Sequence, residues 1–273
     1  MNSSGRGFTI GSTGSHGHGA FAARRFVRGD LILVEKPLYT VKEHARPAEV
    51  AAAVNRLSAD EREHLSELAN AFEQLYDDPF WGIHKTNAFA AGEDDSILCL
   101  LASRFNHSCS PNARYSWHTQ SRTFRIHSLR EIAPGDELLV SYISGRHVYG
   151  STAVQRQARL KAMLGFTCAC VACTQPPTAQ AASDARRTEL TRLWDALPLF
   201  PPHRTPARLQ AVRRALELMR AEDYDADADD FANEASAMCA FHADWASVRA
   251  WALCTYRARV AEFGGDSHRA IDS

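Results

Sequence analysis

The chain has 273 residues, 45% of them hydrophobic, enough to bury a core in one large domain with an appendage or in two modest ones. Lysine and arginine number 31 against 32 aspartates and glutamates, so no excess of positive charge marks a nucleic-acid or anionic-membrane binder. No run of about 18 apolar residues occurs and no apolar stretch follows a basic start, so neither a membrane span nor a signal peptide is expected; an intracellular place, nucleus or cytoplasm, is.

In chain order, residues 20–41 alternate short apolar runs around Arg28-Gly29-Asp30 and predict two short strands joined by a turn. From Pro47 the character changes. Ser58 and Glu61 form a capping-box signature, and Leu65, Leu68, Ala69, Phe72, Leu75 and Tyr76 follow at helical spacing until Asp77-Asp78-Pro79. A helical insert at about 44–80 is therefore expected. The apolar run 97–102 is a short helix or a strand, which periodicity alone does not separate. Residues 122–143 predict a strand, a turn at Ala133-Pro134-Gly135-Asp136, and a second strand ending at Tyr142. Residues 151–163 have helical spacing. TQPPTAQAASDA then has the composition of a linker, placed at 175–185. Beyond it Leu190, Leu193, Trp194 and Leu197, then Leu209, Val212, Leu216 and Met219, then residues 245–260 repeat at helical spacing, which predicts a helical subdomain over 186–273. The fold class is α+β.

Seven cysteines include the tight group Cys168, Cys170 and Cys173, and three thiolates within six residues can wrap one tetrahedral ion if a fourth ligand arrives from elsewhere. Cys99 sits in an apolar run, and Cys239 and Cys254 lie on the helical tail as packed thiols. Cys109 remains, in the polar turn 106–112, although a histidine would also serve as fourth ligand. The same turn admits a rival reading, a Cys109 nucleophile activated by His107, which neighbouring side chains pointing apart would disfavour and zinc on Cys109 would exclude. The glycine-rich stretch with Gly17 and Gly19 lacks the lysine of a P-loop and taken alone is a turn after a loose terminus; His16 and His18 are then surface residues. Tyr142, taken alone, is a strand packing residue. The acidic stretch 222–230 would attract a basic substrate tail or form a solvated loop or helix start.

Five motifs in order change this picture: GHGAFA at 17–22, KTNAF at 85–89, RFNHSCSPN at 104–112, GDELLVSYI at 135–143 and GFTCACVAC at 165–173. The series, spanning roughly residues 14–174, resembles the SET-domain lysine methyltransferases, in particular the SET-and-MYND branch, whose SET domain is split by an insert and followed by helices. Residues 41–90 contain no cysteine, so the MYND zinc finger of that branch is not carried over.

The resemblance implies a SET-type core of short β-sheets over 1–174, in which the segments 106–112 and 137–143 form a pseudoknot, with a zinc-bound post-SET segment at 165–174. It implies that Cys109 closes a structural zinc site with Cys168, Cys170 and Cys173. It places His16, Gly17, His18, Gly19, Ala20, Asn87, Asn106, His107, Tyr142 and Phe166 around S-adenosylmethionine, with Phe166 on the adenine, and makes Tyr142 the active-site tyrosine. The implied activity is methyl transfer to a lysine amine of a protein substrate, histone or not; a catalytically silent SET-like binding module is the alternative. No membrane and no direct nucleic-acid contact are expected, and neither the substrate nor the oligomeric state is in the sequence.

Overall fold

The computed structural model describes residues 7–14, 17–200 and 205–271. Phe8–Ser12 (β1) and His18–Ala22 (β2) pair antiparallel. Leu31–Glu35 (β3) does not return along β2, because the turn at Gly29, with φ of 90°, sends it into another sheet. The two strands expected in 20–41 are therefore present, but in different sheets. Tyr39–Lys42 (β4) belongs to a third one.

The insert begins as expected and then departs. Pro47–Val54 (α1) and Ala59–Ser66 (α2) are helices, and the capping box holds, with Ser58 N–H donating to Glu61 Oε2 at 2.8 Å and Glu61 N–H to Ser58 Oγ at 3.2 Å. The helix stops at Ser66, well short of Tyr76. Asn70 Oδ1 takes the N–H of Phe72 at 3.1 Å, a local bond that competes with a helical one, and Asn70 fills the space over Gly82. Asp78 does not end a helix; its side chain accepts the Phe80 N–H at 2.9 Å and Pro79 is the first residue of Pro79–Asn87 (α3).

Phe89–Ala91 (β5) and Asp95–Leu98 (β6) join β4 in the order β4-β6-β5, so the run 97–102 starts as a strand and passes into a 3-10 turn at Ala102–Arg104. Asn106–His107 (β7) follows. Ala113–His118 (β8) and Thr123–Ser128 (β9) complete the sheet β3-β9-β8. The second strand expected before Tyr142 is reduced to Leu139–Val140 (β10), which pairs in parallel with β7 and not with β9. Asn112 is the physical reason: its N–H donates to Leu139 O at 3.1 Å, its Nδ2 to Glu137 O at 2.8 Å, and its Oδ1 accepts the Leu139 N–H at 2.7 Å. The segments 106–112 and 137–143 are interlocked by these bonds.

Arg146–Tyr149 (α4) and Ala153–Leu164 (α5) precede the cysteine segment; Pro177–Ala196 (α6), Thr205–Ala221 (α7), Ala228–Phe241 (α8), Trp245–Phe263 (α9) and His268–Ile271 (α10) form the tail. The expected linker at 175–185 is not extended. From Pro177, the first helical residue, it is the opening of α6, and the alanines at 179, 181 and 182 are strong helix formers. Cys239 is buried as expected, but Cys254 is exposed.

One core, holding Phe8, Phe26, Phe105, Phe124 and Val140, lies between the β segments, and a second under the insert holds Tyr39, Val54, Leu65 and Leu98. The third joins the tail to the cysteine segment: Cys109, Cys168, Leu129 and Leu160 pack with Leu190, Val212, Leu218 and Phe231. Residues 186–200 and 205–271 thus share a core with the cysteine segment. The acidic stretch is not a free surface either. Glu222 pairs with Arg187 at 2.7 Å, Asp227 with Arg114 at 2.6 Å, Asp229 with Arg259 at 3.0 Å, Asp230 with Arg269 at 3.4 Å, and Asp225 with Arg130 at 3.6 Å. These acids fasten the helices to the β core and to one another. Among the described residues no helix is long and apolar enough to cross a membrane.

Candidate active site and zinc centre

Helix α5 sets up the cysteine segment. Gly165, left-handed at φ 74°, ends the helix and turns the chain outward, and Gln157 on α5 holds Cys168 by both backbone groups, accepting its N–H at 2.8 Å and donating to its carbonyl at 2.6 Å. The four sulfurs of Cys109, Cys168, Cys170 and Cys173 all lie within 4.8 Å of one another, and Cys173 and Cys109 are 3.6 Å apart. A tetrahedral zinc with Zn–S bonds of about 2.3 Å places its sulfurs about 3.8 Å apart, so the cluster fits that ion. Without an ion, hydrogen bonding among the four sulfurs lowers the Cys170 and Cys173 thiols and raises those of Cys109 and Cys168, so the set shares its protons. Four thiolates on one divalent ion carry a net charge of minus two. Arg156, fully buried, donates to Cys173 Sγ at 3.5 Å and to Ala172 O at 3.0 Å, where it offsets that charge. Sequence reasoning missed Arg156 and Gln157, because an arginine and a glutamine on a half-exposed helix carry no motif.

His107 links this centre to the tyrosine. Its Nδ1 accepts the Tyr142 N–H at 3.0 Å, so the proton sits on Nε2, which points at Cys109 Sγ at 3.2 Å. The side chains of His107 and Cys109 therefore do meet, contrary to expectation for near neighbours. The nucleophile reading still fails on geometry: the nitrogen facing the thiol is the protonated one, and Cys109 is wholly buried among three other thiols. Burial pushes the His107 pKa down to about 4, so the ring is neutral at neutral pH.

Beside the cluster lies a cavity of about 1050 Å³, lined by Gly17, His18, Asn87, Asn106, His107, Tyr142 and Phe166 among others, and walled at one end by Ala221, Glu222 and Asp223 of the tail. Its volume suits a nucleoside-sized ligand together with part of a second one. Asn106 Nδ2 donates to His18 O at 3.2 Å and to Glu137 Oε1 at 2.8 Å, which fixes the amide and leaves Oδ1 without a donor among the described residues. Asn87 is alike: its Nδ2 donates to Ala69 O at 2.7 Å and Ile83 O at 2.8 Å. Both asparagines thus offer a carbonyl oxygen, the acceptor that an ammonium or an adenine amine requires.

The other expected cofactor residues divide. Gly17, at φ 79°, lines the cavity, and its glycine serves the left-handed backbone. Gly19 is not among the lining residues: a Cβ there would meet Glu137 Oε1 at 2.5 Å and Asn106 Nδ2 at 2.9 Å, so it makes room for the protein's own side chains. Ala20 is fully buried in β2 and does not reach the cavity either. His16 lies outside the described residues. Phe166 meets the rings of His107 and Tyr142 edge-on, at 6.1 and 6.3 Å between centroids.

Tyr142 directs its hydroxyl to Phe105 O at 2.9 Å, which occupies the proton and leaves oxygen lone pairs available. Burial, then the charge of Glu137, raises its pKa. The phenol stays protonated at neutral pH.

Against known proteins, the SET domain family matches residues 17–143. The chain is 28% identical over 260 residues to the histone-lysine N-methyltransferase set5 of Schizosaccharomyces pombe, covering 93% of this chain and 78% of that protein. It is 40% identical over 81 residues to the histone-lysine N-methyltransferase SET5 of Meyerozyma guilliermondii, covering 29% of this chain and 16% of that protein. With the protein-lysine N-trimethyltransferase SMYD5 of Danio rerio it shares 30% identity over 118 residues, 41% of this chain and 26% of that one. The order of motifs, the paired β7 and β10 segments and the family match lead to one conclusion: residues 17–143 of this chain form a SET domain.

Proposed function

We propose that the protein is a protein-lysine methyltransferase that takes its methyl group from S-adenosylmethionine and holds one structural zinc. The observation that carries this reading is the convergence on one cavity of Asn106, His107, Tyr142 and Phe166, from three chain segments, two joined by the four-cysteine cluster and the third tied to His107 by the Tyr142 N–H. The relatives named as lysine methyltransferases support it.

The cofactor supplies an electrophilic methyl on a sulfonium, which passes to the lysine nitrogen as the S–CH₃ bond breaks and its electron pair returns to sulfur. The protein's part is placement. Asn87 and Asn106 present acceptor oxygens, Gly17 and His18 bound the pocket, and Phe166 provides an apolar ring for the adenine. Tyr142, with its proton held on Phe105 O, presents lone pairs that orient the amine or the transferring methyl; alignment of nitrogen, carbon and sulfur can supply much of the rate. A free lysine, with a pKa of about 10.4, must reach the site as the neutral amine, and desolvation in the cavity favours that form. The zinc takes no chemical step, since four thiolates leave no open position. It holds the segment carrying Phe166 against the turn that follows β7.

The test is transfer of labelled methyl groups into a pool of lysine-bearing proteins, histones included, with Tyr142→Phe as control. Label on lysine that falls about a hundredfold in the variant supports the reading. Wild-type protein that binds the cofactor but labels no lysine contradicts it.

A further inference from the structure

Glu137 is the unexplained charge of the site. It lines the cavity, half-buried, and its carboxylate meets no arginine, lysine or histidine among the described residues. Its one side-chain hydrogen bond is the 2.8 Å contact from Asn106 Nδ2. That isolation contrasts with the tail, where Glu222, Asp227 and Asp229 each face an arginine. Gly19 keeps the place open, since any larger residue would strike Glu137 Oε1. The carboxylate is also within electrostatic reach of the Tyr142 hydroxyl, whose pKa it raises after burial does. An uncompensated carboxylate beside an acceptor oxygen and a phenol oxygen is a site for a cation.

We propose that Glu137 reads the charge of the cofactor. It favours the cationic sulfonium of S-adenosylmethionine over the neutral thioether left after transfer, so that the site prefers the methyl donor to its own product. This rests on the methyltransferase reading above. Glu137 is a specificity-determining residue here, acting on the ligand's charge through space, while through Asn106 it keeps the amide oriented. The substitution Glu137→Gln separates the two roles, because the amide oxygen of glutamine still accepts the Asn106 N–H while the charge is gone.

The experiment is calorimetric titration of zinc-loaded wild-type and Glu137→Gln protein with S-adenosylmethionine and with S-adenosylhomocysteine, at low and at high salt. The expected result is a loss of about tenfold in affinity for the sulfonium compound and less than about twofold for the thioether. In the wild type, added salt should narrow the gap between the two ligands, and this arm needs no variant to fold. An unchanged ratio in Glu137→Gln, or equal losses for both ligands, overturns the inference and leaves the methyltransferase reading intact. Wild-type protein that binds neither ligand overturns both.

Discussion

Two regions of this molecule use the same polar residue types to opposite ends. At the junction of tail and β core, charge is buried and matched: Arg114 meets Asp227 and Glu262, and Arg187 meets Glu222 with both side chains almost wholly out of solvent. In the cavity, among the described residues, Asn106 Oδ1 meets no donor and Glu137 meets no cation, its carboxylate taking only the Asn106 Nδ2–H at 2.8 Å. Buried charge alone does not mark the functional site; hydrogen-bonding capacity held in place and left over does. The junction, by this comparison, should govern stability, and the cavity should govern ligand binding.

The largest effect is expected where the two regions meet, at the four-cysteine cluster proposed to hold zinc. Chelation should abolish S-adenosylhomocysteine binding, because Cys109, Cys168, Cys170 and Cys173 hold the Phe166 segment against His107 and the tail core. Metal analysis and calorimetry on the stripped protein check this, and full affinity without zinc would break the comparison. Next, Arg114→Met removes the cation that Asp227 and Glu262 share and should cost about 3–5 kcal/mol of folding stability. Denaturant titration reads that loss, while cofactor affinity of the folded fraction should stay within about threefold. Tyr142→Phe should do the reverse, lowering turnover about a hundredfold with stability reduced by only about 1–2 kcal/mol, for the bond lost to Phe105 O.

A smaller effect concerns pH. Burial pushes the Glu262 carboxyl up to about 8 against the pull of Arg114. A carboxyl whose pKa is raised on folding holds its proton better in the folded state, so the associated stability is full below about 4.5 and is lost as pH rises through about 8. The unfolding temperature should therefore decline between about pH 4.5 and about pH 8, and Glu262→Gln should flatten that decline. An equally steep profile in the variant would show that the junction is not its source.

Much of this was legible in the sequence, and the misreadings share a cause. Three cysteines announce a metal site by spacing, and the motif series supplies Cys109; the structure brings all four together. Proline misled twice. Asp78-Pro79 read as a helix stop and Pro176-Pro177 as a linker, yet Pro79 and Pro177 each stand at a first helical position, where the missing N–H costs nothing. Gly19 read as a contact with cofactor, whereas it accommodates Glu137 from a segment 118 positions away, a packing relation no local pattern encodes. The acidic stretch 222–230 could not be read as ion pairs, because its arginines come from β8, from the loop after β9, from α6, from α9 and from α10.

The most direct test of the central claim is titration of zinc-loaded protein with S-adenosylhomocysteine, wild type beside Asn106→Ala. The account predicts saturable binding of one ligand per chain, weakened about 10- to 100-fold in the variant because the Oδ1 acceptor for a charged donor is lost. Wild-type protein that does not bind, or a variant that binds as tightly, would contradict it.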